Sequence, residues 1–207
     1  MTTVKGDSGH RTQAERRART RAALVASARA LFAERGFAGA GREEIVERAG
    51  LTRGALYHHF ASKEDLFAAV YEEVERDVCE AVIVAAGAAR DAAEELRLGA
   101  LAFLDVSAAP EVRRIALVDA PAVLSPEVRN DVAQRYGLGL VREALRAAEA
   151  TGMLRVGPSG PLAPMLLAAL HEAATLIADG ADPTDVRAAV TALLAALTGG
   201  PSGQESS

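Results

Sequence analysis

The chain has 207 residues, half of them hydrophobic, with a formal net charge of −5 and a single cysteine. That length allows one small domain plus a larger one with a real core. The lone cysteine, the lack of a signal peptide and the lack of any apolar run of about 18 or more residues point to a soluble cytoplasmic protein rather than a secreted or membrane-spanning one.

Alanine dominates and β-branched or aromatic runs of strand type are scarce, so the fold class is all-α, with about nine helices. Residues 1–60 carry 11 Lys or Arg against 6 Asp or Glu, whereas residues 61–207 carry 12 against 22. An acidic chain with a basic N-terminal third is arranged for local phosphate contact rather than for general polyanion binding.

In chain order, residues 1–12 are polar and Gly/Ser/Thr-rich and are expected to be a disordered tail. A helix follows with the apolar stripe Leu24, Ala28, Leu31 and Phe32. Arg11, Arg16, Arg17, Arg19 and Arg21 cluster before and at its start. They form either a solvated face or a track along a nucleic-acid backbone.

Residues 42–60 read as two short helices joined by a tight turn. Ile45, Val46 and Ala49 form one apolar stripe, with Arg42, Glu43, Glu44, Glu47 and Arg48 on the solvated side. Gly50 ends the first helix, since glycine takes positive φ without steric cost. Leu51 is an apolar plug and Thr52 the N-cap of a second helix beginning near Arg53. Leu56 and Phe60 face inward, four residues apart; Arg53, Gly54, Ala55, Tyr57, His58 and His59 share the other faces. The pattern predicts a helix-turn-helix, whose second helix puts its N-terminal residues against base edges in the major groove. Arginine can bind guanine with two hydrogen bonds, and Gly54 and Ala55 let the backbone come close. Two amphipathic helices joined at glycine also occur in helical proteins with no DNA function.

From about Arg16 to Val70 the chain resembles the DNA-binding domain of the TetR family of bacterial transcriptional regulators. The residues that carry the resemblance are Ala30-Leu31-Phe32, Gly36-Phe37, Ile45, Ala49-Gly50-Leu51-Thr52-Arg53-Gly54, Leu56-Tyr57, His59-Phe60, Ser62-Lys63-Glu64 and Leu66. The resemblance implies that Thr52, Arg53, Gly54 and Ala55 lie in or beside the major groove. It places Tyr57 and His58 on the phosphate backbone and Lys63 on a phosphate from the next helix, and leaves His59 and Phe60 to pack the domain. Two positions depart from it: Gly41 stands where relatives carry a capping Thr or Ser, and Arg42 stands where they carry an apolar residue. Glycine loses the hydroxyl contact, for which Arg42 is a candidate replacement.

The domains expected are a helix-turn-helix domain of three helices over 13–61, an effector-binding and dimerisation helical bundle over 62–198, and a second disordered tail over 199–207. Ser62 caps a helix running through Leu66, Val70, Val74 and Val78 toward Gly87, a mechanical link between the domains. Asp91 to Val106 is a helix with Leu96, Ala100, Phe103 and Leu104 inward, and Pro110 to Asp119 a short one. The segment 120–126, with two prolines, reads as a loop. A long helix then spans about Pro126 to Thr151. The last two helices are about Leu162–Asp179, which leaves almost no polar face, and Pro183–Leu197. We expect them to form a four-helix homodimer interface through Leu166, Leu170, Ala173, Ile177, Val190, Leu193, Leu194 and Leu197, the alternative being an ordinary intrachain pair. A dimer would present two recognition helices about 34 Å apart to a near-palindromic double-stranded operator.

By the resemblance, the C-terminal helices enclose a site for a small-molecule effector, which the sequence does not identify. Phe103, Asp105, Asp119, Tyr136 and His171 are its candidate residues; the two aspartates can equally be solvated near helix ends, Tyr136 a core ring and His171 a satisfied histidine. No phosphate loop, zinc-ligand spacing or Ser-His-Asp order is present, so no enzyme, cofactor or metal is expected. Adjacent His58 and His59 point about 100° apart on a helix, and Cys79 reads as a buried small hydrophobe. The expected function is a ligand-released transcriptional repressor. The alternative is a small-molecule-binding helical dimer with no DNA function.

Overall fold

The structure, a computed structural model, describes residues 12–199. The tails expected at 1–12 and 199–207 therefore lie, apart from Thr12 and Gly199, outside the described residues, as does Arg11. The described residues are helices and the turns between them, with no strand among them. They divide into two compact units, one ending at Val70 and one beginning at Tyr71.

In the first unit, α1 (Gln13–Gly39) starts at a reciprocal cap: Glu15 N donates to Thr12 Oγ1 at 3.2 Å and Thr12 N to Glu15 Oε2 at 2.8 Å. Its stripe Leu24, Ala28, Leu31 and Phe32 is fully buried. Gly36, at φ 71°, breaks the helix and turns Phe37 back onto the core, where Phe32, Phe37 and Phe67 stack with centroids 5.2–5.8 Å apart. The short helices α2 (Arg42–Arg48) and α3 (Arg53–His59) flank Gly50, which has φ +65°. They bury Ile45, Val46 and Leu56. The next helix, α4 (Lys63–Ala86), opens with a second reciprocal cap between Ser62 and Asp65. Because Leu66, Phe67 and Val70 on its first turns are buried with this core, the unit ends at Val70 rather than at residue 61.

The second unit takes the rest of α4, followed by α5 (Ala92–Ser107), capped by Asp91. α6 (Pro110–Val112) passes into a π-helical stretch, Arg113–Asp119, in which Ala120 N bonds Ile115 O five residues back, and then into α7 (Ala120–Val123). The expected loop at 120–126 is thus helical as far as Val123. Pro121 sits in the first turn of α7, where a missing N–H costs little.

The single helix expected from Pro126 to Thr151 is two, α8 (Pro126–Arg135) and α9 (Gly137–Ala150), broken at Tyr136 (φ −114°, ψ −94°). The Tyr136 hydroxyl is held by Glu72 on α4 at 3.1 Å. Gly137 follows, packed beside Leu167, whose side chain an added Cβ would meet at 3.4 Å, an ordinary contact.

α10 (Ser159–Ala178) begins three residues earlier than expected and is followed by α11 (Pro183–Thr198). By length and composition α10 would pass as a membrane span, contrary to the expectation of no such run. Here it is a core helix, packed on α5, α9 and α11. Its buried face changes the expected interface: Leu166, Leu170, Ala173, Val190 and Leu194 lie in the chain's own core, and Ile177 and Leu197 pack against it. Of the eight residues expected at a dimer interface, Leu193 is exposed, as are the apolar Met165 and Leu176 on α10.

Candidate nucleic-acid interface and effector cavity

The outer surface of the first unit is built on α2 and α3. Thr52 stays extended (φ −98°, ψ 156°) and its hydroxyl accepts from Ala55 N at 3.3 Å, which fixes where α3 begins. Gly41 supplies no hydroxyl to the start of α2; its own N–H donates to Glu44 at 3.3 Å, and Glu44 is itself held by Arg35 at 2.5 Å.

Three of the residues expected at DNA converge. Arg42 Nη1 donates to Tyr57 Oη at 3.4 Å, and Arg53 also donates to it; together they hold the phenol below its usual pKa, Arg42 first. With its lone pairs facing guanidiniums, the Tyr57 O–H is left to donate outward, as a phosphate oxygen requires. Arg53 also meets Glu43 at 3.2 Å, both side chains well exposed. Glu43 entered the sequence reading only as part of a solvated face. An exposed pair of this kind holds Arg53 weakly, at about 1 kcal/mol or less, so phosphate or guanine can displace the carboxylate.

Around this cluster Thr52, Gly54 and His58 are exposed and Ala55 is half-buried. His58 and His59 meet edge to face at 5.4 Å. Half-burial lowers the pKa of His59, helped by His58 and by Arg17 and Arg21 on α1. Those two arginines therefore stand beside the C-terminal end of α3, and Arg21 lies over the Phe60 ring at 5.2 Å. Arg16 and Arg19 are exposed on the same helix. Lys63 is half-buried with its ammonium 4.4 Å from the Phe37 ring centre.

In the second unit α4, α5, α9 and α10 line a half-open cavity of about 750 Å³. Phe103 and His171 line it, edge to face at 5.2 Å. The other three expected residues do not. Asp105 is exposed and paired with Arg187, Asp119 is buried against Arg114 at 3.2 Å, and Tyr136 is turned to Glu72. Asp105 and Tyr136 have partners on neighbouring helices, and Asp119 has one within its own helical stretch.

Glu75, absent from the sequence reading, is the buried acid that does line the cavity. Burial pushes its carboxyl above the usual range, partly offset by His171 and by a hydrogen bond from Tyr71. A glutamate directly after Val74 and three residues before Val78, on the same apolar stripe, was the available signal. Cys79, also on the lining, has its thiol pushed up to about 12 by burial, so it is a neutral thiol.

Residues 24–70 match the family model for bacterial regulatory proteins of the tetR family, and residues 93–201 match that for the tetracyclin repressor-like C-terminal domain. A TetR-family transcriptional regulator from Pectobacterium atrosepticum superposes with a TM-score of 0.77 at 35% identity, covering 92% of this chain and 100% of that one. The transcriptional activator FasR of Mycolicibacterium smegmatis is 35% identical over 85 residues, 41% of this chain and 39% of its own length. The repressor AcnR of Corynebacterium glutamicum is 43% identical over 54 residues, 26% of this chain and 29% of its own. The chain thus spans between a quarter and two-fifths of these two curated relatives, whereas it spans the whole of the solved one. With both models matched in order and the solved relative covered end to end, the chain belongs to the TetR family of bacterial transcriptional regulators.

Proposed function

We propose that the chain is a sequence-specific repressor, released from its operator by a small molecule bound in the second unit. The observation that carries the DNA-binding reading is the exposed Arg42–Tyr57–Arg53 cluster at the start of a capped recognition helix. Arg53 would read a base edge, with Thr52, Gly54 and Ala55 close to the groove. Arg42, Tyr57, His58 and Lys63 would hold phosphates, and Arg16, Arg17, Arg19 and Arg21 would follow the backbone.

The exposed Met165, Leu176 and Leu193 support a homodimer through the outward faces of α10 and α11, which would set two recognition helices on a near-palindromic site. Phe103 and His171, with Glu75, would contact the effector. Residues of α4 belong to both units, so a shift of that helix on ligand binding would change DNA affinity; a coupling of about 1–3 kcal/mol alters occupancy roughly 5- to 150-fold. The protein acts in the cytoplasm by binding, without turnover.

The test is footprinting on the DNA upstream of its own gene. Wild type should protect two half-sites one helical turn apart, and Arg53→Ala combined with Tyr57→Ala should abolish that protection. Sequence-specific binding retained by the double variant would refute the assignment.

A further inference from the structure

The cavity's polar groups are lopsided in charge. Four acidic side chains line it, Glu75, Asp91, Glu95 and Glu143, and the lone arginine among the lining residues, Arg90, is held by Glu94 through contacts of 3.0 and 3.2 Å. Glu75 is the deepest of the four, only 8% exposed.

Four groups on three helices face the Glu75 carboxyl or its hydrogen-bond partner, one of them the neutral Cys79 thiol on α4. Tyr71 on α4 donates to it. His171 on α10 acts on it electrostatically, with its own Nδ1 bonded to the Leu167 carbonyl at 2.9 Å. Arg129 on α8 acts on the Tyr71 hydroxyl and does not line the cavity. The remaining wall is largely hydrocarbon, with the Phe103 ring beside His171.

An apolar anion entering this space would meet Glu75 and find no unpaired cation on the wall. A cation would give the carboxylate the counter-charge that burial denies it, in a medium where such a pair is much stronger than in water, and Phe103 would offer a π-face.

We infer that the cavity selects an apolar cation, an amine or quaternary ammonium on a hydrocarbon or aromatic body, with its charge against Glu75 and its body along α4, α5 and α10. The inference rests on the cavity being the effector site. At about 750 Å³ the space suits a ligand of drug-like size.

The experiment uses three probes of equal chain length, decyltrimethylammonium, decanol and decanoate, each below its micelle concentration, titrated calorimetrically into the full-length protein. The ammonium should bind at least about tenfold tighter than decanol, with decanoate weakest. Glu75→Gln should bring the ammonium down to the affinity of decanol and leave decanol unchanged. If that variant fails to fold, the wild-type preference for the ammonium over decanol must shrink as pH is lowered and Glu75 takes up its proton.

Decanol or decanoate binding as tightly as the ammonium, or an ammonium affinity unaffected by Glu75→Gln, overturns the inference while the cavity stands as a ligand site. Failure of all three probes to bind overturns both.

Discussion

The two units use polar side chains in opposite ways. In the first, polar groups sit at helix ends and on the outer surface: Thr12, Thr52 and Ser62 each close a helix start, and Arg42, Arg53 and Tyr57 face solvent over a small aromatic core. In the second, long apolar helices pack around a space, and a glutamate lies inside, on the wall. Polar side chains that stay in water position a rigid reading surface without much cost. A buried carboxyl is expensive unless something arrives to pair with it, which is a property a responsive site can use.

The largest effect that would test this division comes from Phe32. Its ring is fully buried between Phe37 and Phe67, and Phe32→Ala should cost the first unit about 3–5 kcal/mol. Hydrogen exchange should show α1–α3 losing protection while the amides of α5 and α9–α11 keep theirs. An equal loss in both would mean that the two units open as one block.

A smaller effect sharpens the other side. Burial raises the Glu75 pKa in the folded chain above its unfolded value, so the stability tied to its protonated form is complete below about pH 4.5 and is lost as pH rises through the folded pKa. A single proton sets the limit, about 1.4 kcal/mol per pH unit. Glu75→Gln should therefore gain on wild type in denaturant titrations as pH rises above 4.5, the gain levelling off once wild-type Glu75 is ionised. A difference independent of pH would show that His171 and Tyr71 fully offset the burial.

The same contrast explains what the sequence disclosed. Helix boundaries in the first unit follow from local chemistry, a hydroxyl accepting a backbone N–H three residues on and a glycine at positive φ, and such signals lie within a few residues of where they act. Gly41 and Arg42, the departures from the family pattern, could be read as such, but the hold of Glu44, itself kept in place by Arg35, on the Gly41 N–H could not. In the second unit the helices were legible and their faces were not. α10 is apolar on nearly every side, so periodicity could not tell Leu166 and Leu170, which face the core, from Met165 and Leu176, which face out. Asp105, Asp119 and Tyr136 were plausible cavity groups until Arg187, Arg114 and Glu72 proved to hold them. Those partners lie five to 82 residues away in sequence, most beyond the reach of any local pattern.

The smallest effect bears on the reading surface itself. Thr52 has two roles on the surface, a hydroxyl bonded to Ala55 N at 3.3 Å and a place beside the proposed groove contact. Thr52→Ala should lower stability by about 1 kcal/mol, as the loss of an N-cap does, and weaken operator binding because the first turn of α3 frays. Thr52→Ser keeps the capping oxygen and removes a methyl, so it should restore stability. If Thr52→Ser recovers stability but not operator affinity, the methyl itself touches DNA, and the residue reads as well as caps. If Thr52→Ala leaves stability unchanged, burial of Leu56 and Phe60 fixes the start of α3 by itself. The first unit would then owe its rigidity to its core, as the second does, and the contrast between them would narrow to where each keeps its charges.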